Sequence, residues 1–186
     1  MPALRSWISV LAWLALGFAP ALAQPAASLN AAEYEVKAAY VYKFTSFVEW
    51  PADTFATADS PLVIGVIGAD DIAAAIKPLV AGQTVDRHPV QVRRLDGKSA
   101  LAAVQILLIG SVDKATLERT LNEVRGKPVL VISSNRLANA PEVMINFVTL
   151  DRRVRFEVAM APVLQSRMRL SALMLSAAQN VWRDDQ

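Results

Sequence analysis

The side chains able to do chemistry are few. The chain has one histidine, His88, and no cysteine. A histidine-based triad, a two-histidine metal site and a zinc or iron–sulfur centre therefore have no ligand set to draw on. The remaining candidates are carboxylates and hydroxyls that follow apolar runs: Asp70 and Asp71, Ser111 and Asp113, and Ser133-Ser134. If those runs are parallel strands, these groups gather at the strand C-termini, where open α/β sheets bind ligands. The layout resembles an acidic pocket for magnesium and phosphoryl transfer. That chemistry also needs a lysine after the next strand, and Asp151-Arg152-Arg153 does not supply one. Asp70 and Asp113 serve equally well as helix caps. The stretch Gly65-Val66-Ile67-Gly68-Ala69-Asp70-Asp71 runs from strand into helix, but lacks the third glycine of a dinucleotide fingerprint and the lysine of a P-loop. Gly68 reads simply as a turn. No catalytic residue, metal ligand or cofactor follows from this set. What it leaves open is a sensor that holds a small molecule at the strand C-termini.

The elements that would position these groups alternate. Residues 31–49 contain no Gly or Pro, and Val36, Tyr40, Phe44 and Phe47 recur at helical spacing, with Asn30 as the cap and Trp50-Pro51 as the stop. Residues 61–68 form a continuous apolar run, the mark of a strand buried on both faces. A helix over 71–81 ends at Gly82, a more polar strand at 90–95 sits nearer a sheet edge, and 105–109 is again apolar. A helix over 114–125 ends at Gly126, and 128–132 is another buried strand. Strand and helix in this alternation give right-handed crossovers and a parallel sheet. Residues 143–150 and 154–158 then form a hairpin, with Arg153, Arg155 and Glu157 on a wet face. After Pro162 the spacing predicts one helix to Trp182. It carries two apolar stripes, Leu164, Met168, Ser171, Leu175, Ala178 and Trp182, and Leu170, Met174, Ala177 and Val181. The expected fold is a three-layer α/β/α domain: a mainly parallel sheet, a C-terminal antiparallel hairpin, and flanking N- and C-terminal helices.

Composition narrows the class. The chain has 186 residues, 54% of them hydrophobic, and the apolar excess lies at the front. Arg5, an uncharged apolar run and Ala21-Leu22-Ala23 have the form of a secretory signal peptide over 1–23. The run is shorter than the roughly 20 apolar residues of a membrane span. Export to the periplasm with cleavage after Ala23 is expected, leaving 24–186 as a single domain. Without Arg5, 18 basic residues face 17 acidic ones, too even a balance for a nucleic-acid binder. A helix lying on a sheet needs one apolar stripe, so the second is surplus. That surplus predicts a partner surface around Val158, Met160, Val163, Leu164 and Met168, with flexible methionines suited to it.

Two stretches carry a resemblance. Glu35-Val-Lys-Ala-Ala-Tyr-Val-Tyr-Lys-Phe-Thr-Ser-Phe-Val-Glu-Trp-Pro51 resembles the opening motif of the YfiR family of periplasmic proteins. Met144-Ile-Asn-Phe-Val-Thr-Leu-Asp-Arg-Arg-Val-Arg-Phe-Glu-Val158 is similar to its second motif, and residues 171–181 follow its closing helix. Where many members carry cysteines, this chain has Gly65 and Val104-Gln105, so redox control does not carry over. The resemblance implies a non-catalytic negative regulator. Its implied partners are the periplasmic domain of an inner-membrane diguanylate cyclase and an OmpA-like outer-membrane lipoprotein that sequesters it. Low cyclic-di-GMP and limited biofilm formation would follow. A homodimer stays open.

Overall fold

The fold is built outward from strand β2 (Leu62–Ile67), all six of whose residues are buried. The computed structural model describes residues 27–96, 101, 103–135, 137 and 140–183; the expected signal peptide over 1–23 lies outside them. On one side β2 pairs in parallel with β4 (His88–Arg94), and the two-residue β3 (Thr84–Val85) closes that edge. On the other side β5 (Ile106–Ile109), β6 (Leu130–Ser133) and β7 (Ile145–Leu150) follow in parallel. Strand β8 (Arg153–Ala159) returns antiparallel to β7, and β10 (Asn180–Trp182) runs parallel to β8 as the far edge. The spatial order is β10-β8-β7-β6-β5-β2-β4-β3, so the chain reverses direction across the sheet between β2 and β5.

Alternate residues of each strand serve different layers. Helices α1 (Ala27–Phe44) and α2 (Asp70–Val80) cover one face, packing on Ile64, Ile106, Leu108, Phe147 and Phe156. Helix α3 (Lys114–Val124) covers the other, with Leu121 and Val124 on Val63, Leu107, Ile109 and Val131. This is the three-layer, mainly parallel α/β arrangement with a C-terminal antiparallel hairpin that the apolar runs predict. A polar side chain also serves the sheet: buried Gln105, just before β5, accepts the Val63 amide at 2.8 Å through its side-chain oxygen, which satisfies a backbone donor near the start of β2.

The N-terminal helix differs in phase and length from expectation. Asn30 lies inside it rather than capping it. Val36 is 43% exposed, while Lys37, Ala38, Val41 and Phe44 face inward. The helix stops at Phe44 because amides 45, 46 and 47 turn back on carbonyls 42, 43 and 44, the tighter pattern that closes helices. Strand β1 (Val48–Glu49) follows and pairs with β9 (Arg169–Leu170). Asp70 also departs from its expected role. It is the first residue of α2, whose cap position, Ala69, offers no side-chain bond.

The expected helix from 162 to Trp182 does not exist as one element. The chain forms α4 (Met160–Gln165), then β9, then α5 (Ala172–Ala177), then β10. Arg167 takes a left-handed φ of 57° and breaks the helix without a glycine. Ser171 then caps α5 by accepting the Met174 amide at 3.2 Å. Glu157, expected on a wet face, is buried and accepts Asn180 Nδ2 at 2.9 Å, because β10 extends the sheet past β8.

The β7–β8 turn holds two non-glycine residues at positive φ, Asp151 at 49° and Arg152 at 59°. A two-residue turn of this kind matches the twist of a hairpin but favours Asn-Gly. Left-handed backbone costs about 1–2 kcal/mol per ordinary residue. Replacing Asp151-Arg152 by Asn-Gly should raise the unfolding free energy by about 1 kcal/mol, read from the chemical denaturation midpoint. A lowered midpoint would show that the turn's side chains contribute more than its backbone.

Candidate functional site

The strand C-termini form a polar cavity of about 220 Å³. It lies beyond β2 and β5, where the chain reverses across the sheet, the usual ligand crevice of open α/β folds. Asp70, Asp71, Ser111 and Ser134 line it as the strand order predicts. Asp113 and Ser133 do not. Asp113 caps α3, accepting the Thr116 amide at 2.9 Å, and Ser133 donates its hydroxyl to the Asn135 carbonyl. The bonds from Thr116 hold the Asp113 carboxyl below its ordinary pKa. The cap is therefore present above the ordinary carboxylate pKa and is lost as pH falls through the depressed value. Gly68 has φ 67°, and a Cβ there would strike the Ser111 carbonyl. Close approach of β2 and β5 requires this glycine, consistent with its reading as a turn.

A lysine does reach this cavity, from an element the strand pattern does not point to. Lys37 of α1 is 3% exposed. Its ammonium bonds the Ser134 carbonyl at 2.7 Å and Glu33 at 2.6 Å, one helical turn back. A buried ammonium is tolerable only when paired in this way. Its phase with Val41 and Phe44, at spacings of four and three, is the signal in the sequence that places it inward. Asp70 is paired with Arg94 at 3.3 Å. Among the described residues, no three His, Cys, Asp or Glu side chains converge. Lys37, Glu33 and Asp70 are joined to structural partners here, and the Lys37 bond ties α1 to the end of β6.

The two stretches that carry the resemblance meet on the α1 face. Tyr40 and Phe44 pack edge-on against Phe156, with ring centroids 5.4 and 5.1 Å apart. Both also contact Phe147, at 6.0 and 6.3 Å. Contacts of this geometry add to what burial alone supplies. The motifs are thus one interlocked core that packs α1 onto the hairpin.

The expected partner residues divide. Val158, Val163 and Met168 are buried on the α1 face and belong to the core of the fold. With the long helix absent, the surplus stripe that argued for exposing them is absent too. Met160 is half-buried, and Leu164 is 67% exposed.

A different apolar surface appears on the reverse of the hairpin. Ile145, Phe147, Phe156 and Val158 point to α1; cross-strand partners share a face. The opposite side therefore presents Val148 beside Arg155, Leu150 beside Arg153, and Trp182 beside Ala159. Leu150 is 45% and Trp182 50% exposed. The cluster under α3 includes no β8 or β10 residue; Glu157 on this side is buried, and the exposed part lies around Leu150 and Trp182 at its two ends. Apolar spacing in the sequence puts Trp182 on a helix, so local periodicity gives no sign of this surface.

No helix among the described residues is long and apolar enough to cross a membrane. The sequence pattern defining YfiR/HmsC-like proteins matches residues 34–179. No curated protein matches the chain.

Proposed function

This chain belongs to the YfiR/HmsC-like family, and from that premise we propose that it is a periplasmic negative regulator of an inner-membrane diguanylate cyclase. It binds the periplasmic domain of the cyclase and holds it inactive, which lowers cyclic-di-GMP and limits biofilm formation. An OmpA-like outer-membrane lipoprotein competes for it and releases the cyclase. The family match over residues 34–179 carries the reading.

The partly exposed side of β7, β8 and β10 that faces away from α1 supports it. Half-exposed Trp182, beside Ala159, and Arg153, beside half-exposed Leu150, are residue types enriched at interface hot spots. Leu164 of α4 is likewise exposed. Such a surface works by contact and asks nothing of the paired groups at the strand C-termini.

Deleting the gene should raise cyclic-di-GMP and surface attachment several-fold. A copy lacking residues 1–23 should fail to restore either. Nucleotide levels that stay unchanged in the deletion across growth conditions would remove the regulator reading.

The second reading, a periplasmic small-molecule sensor, has its own observation in the switch-point cavity. At about 220 Å³ that cavity is smaller than the roughly 300–1,000 Å³ of most ligand pockets, and Lys37 within it is already paired. The regulator reading therefore takes precedence.

A further inference from the structure

A larger cavity, of about 610 Å³, lies at the opposite ends of the strands, where β2 and β4 begin. Its volume is that of a typical small-molecule pocket. The walls are aromatic and aliphatic. Trp50 meets Phe55 edge-on with centroids 6.3 Å apart. Phe55 in turn lies flat against His88, with centroids at 3.7 Å and an interplanar angle of 12°. His88 is fixed in that stack because its Nδ1–H donates to the Ser60 carbonyl at 2.7 Å.

Among the described residues, Glu49 and Asp86 contribute carboxylates to the lining of this cavity and no Lys or Arg does; His88 is the one basic side chain there. The Glu49 contact with Arg169 is long, at 3.6 Å, and both side chains are largely in solvent; such a pair is weak and easily exchanged. Asp86 is held at the rim by the tight β3–β4 turn, where its φ is 47°. Aromatic faces beside carboxylates are the combination that selects ammonium groups, through ring quadrupoles and direct charge.

We propose that this cavity is a binding site for a small organic cation, an ammonium carrying a compact apolar body. The site is separate from the partner surface and does not depend on the regulator reading. Isothermal titration of the protein as isolated from cells tests it with two probes of one shape, choline and its uncharged carbon isostere dimethylbutanol. Choline should bind saturably and at least about 10-fold more tightly, the order of preference that ring quadrupoles and carboxylate charge together give an ammonium.

Glu49→Gln combined with Asp86→Asn should abolish that preference. Asparagine tolerates the positive φ at position 86, so the thermal midpoint should hold. If the pair nonetheless unfolds, Phe55→Leu serves instead and should weaken choline about 10-fold. The proposal is overturned if choline gives no saturable heat, if both probes bind alike, or if the preference survives in a folded variant.

Discussion

Replacing Lys37 by alanine should lower the stability of the domain by about 3–4 kcal/mol, within the range for removing one member of a buried ion pair. The loss has three sources. The Ser134 carbonyl loses its 2.7 Å donor inside the fold. Glu33 loses a partner at 2.6 Å. The lysine stem no longer fills the space between α1 and the sheet, where the ammonium also sits 5.9 Å from the centre of the Phe147 ring. For a domain of this size the effect corresponds to roughly 8–15 °C in the thermal midpoint. Lys37→Met with Glu33→Gln should recover part of it, because an apolar stem without an orphaned carboxylate is a cheaper arrangement than a broken pair. A midpoint shift below about 2 °C for Lys37→Ala would show that the ion pair contributes little to docking α1.

Much of this fold is legible in the sequence, for physical reasons that also explain where legibility ends. The runs at β2, β5 and β6 are apolar throughout because both faces are covered, and the strands fall where those runs lie. Caps and turns with a local cause are also readable, as with Asp113 at the start of α3 and Gly126 with its φ of 70° after it.

The C-terminal segment fails because its controlling contacts are distant. Residues 163–182 contain no Gly or Pro, and their apolar spacing fits a helix. The segment is instead divided by what its pieces pair with. Arg169 and Leu170 are taken by β1, and Asn180 to Trp182 by the free edge of β8. Arg167 absorbs the break in a left-handed conformation that its residue type does not advertise. Both pairings are tertiary, and periodicity within a window carries no information on them.

The same limit governs the sites. Asp70, Asp71, Ser111 and Ser134 gather as strand order implies. Lys37 enters from α1 and becomes visible only when the helix phase is known. The long helix that would turn Val163 and Met168 outward does not form, and both are core, as is Val158 on the α1 face of β8. The larger cavity joins segments around Glu49, Phe55 and Asp86 that no local pattern links.

The second large effect concerns function rather than stability. Val148→Glu and Trp182→Glu both fall on the partly exposed side that faces away from α1. Glutamate at 148 would stand opposite Arg155, a cross-strand pairing that strands accept. Stability should therefore change by no more than about 1 kcal/mol. Charge placed in an interface centre is different: it should cost about 2–4 kcal/mol of binding, a factor of roughly 30 to 1,000 in affinity. Met168→Glu, by contrast, buries an unpaired charge among core residues and should unfold the protein.

Cyclic-di-GMP in a deletion strain carrying the Val148→Glu, Trp182→Glu double variant tests the central claim most directly. Leu79→Glu on the exposed side of α2 is the matched control. The double variant should accumulate in the periplasm with a near-normal thermal midpoint and leave cyclic-di-GMP at the deletion level, while the control restores repression. Full repression by the folded double variant would contradict regulation through this surface.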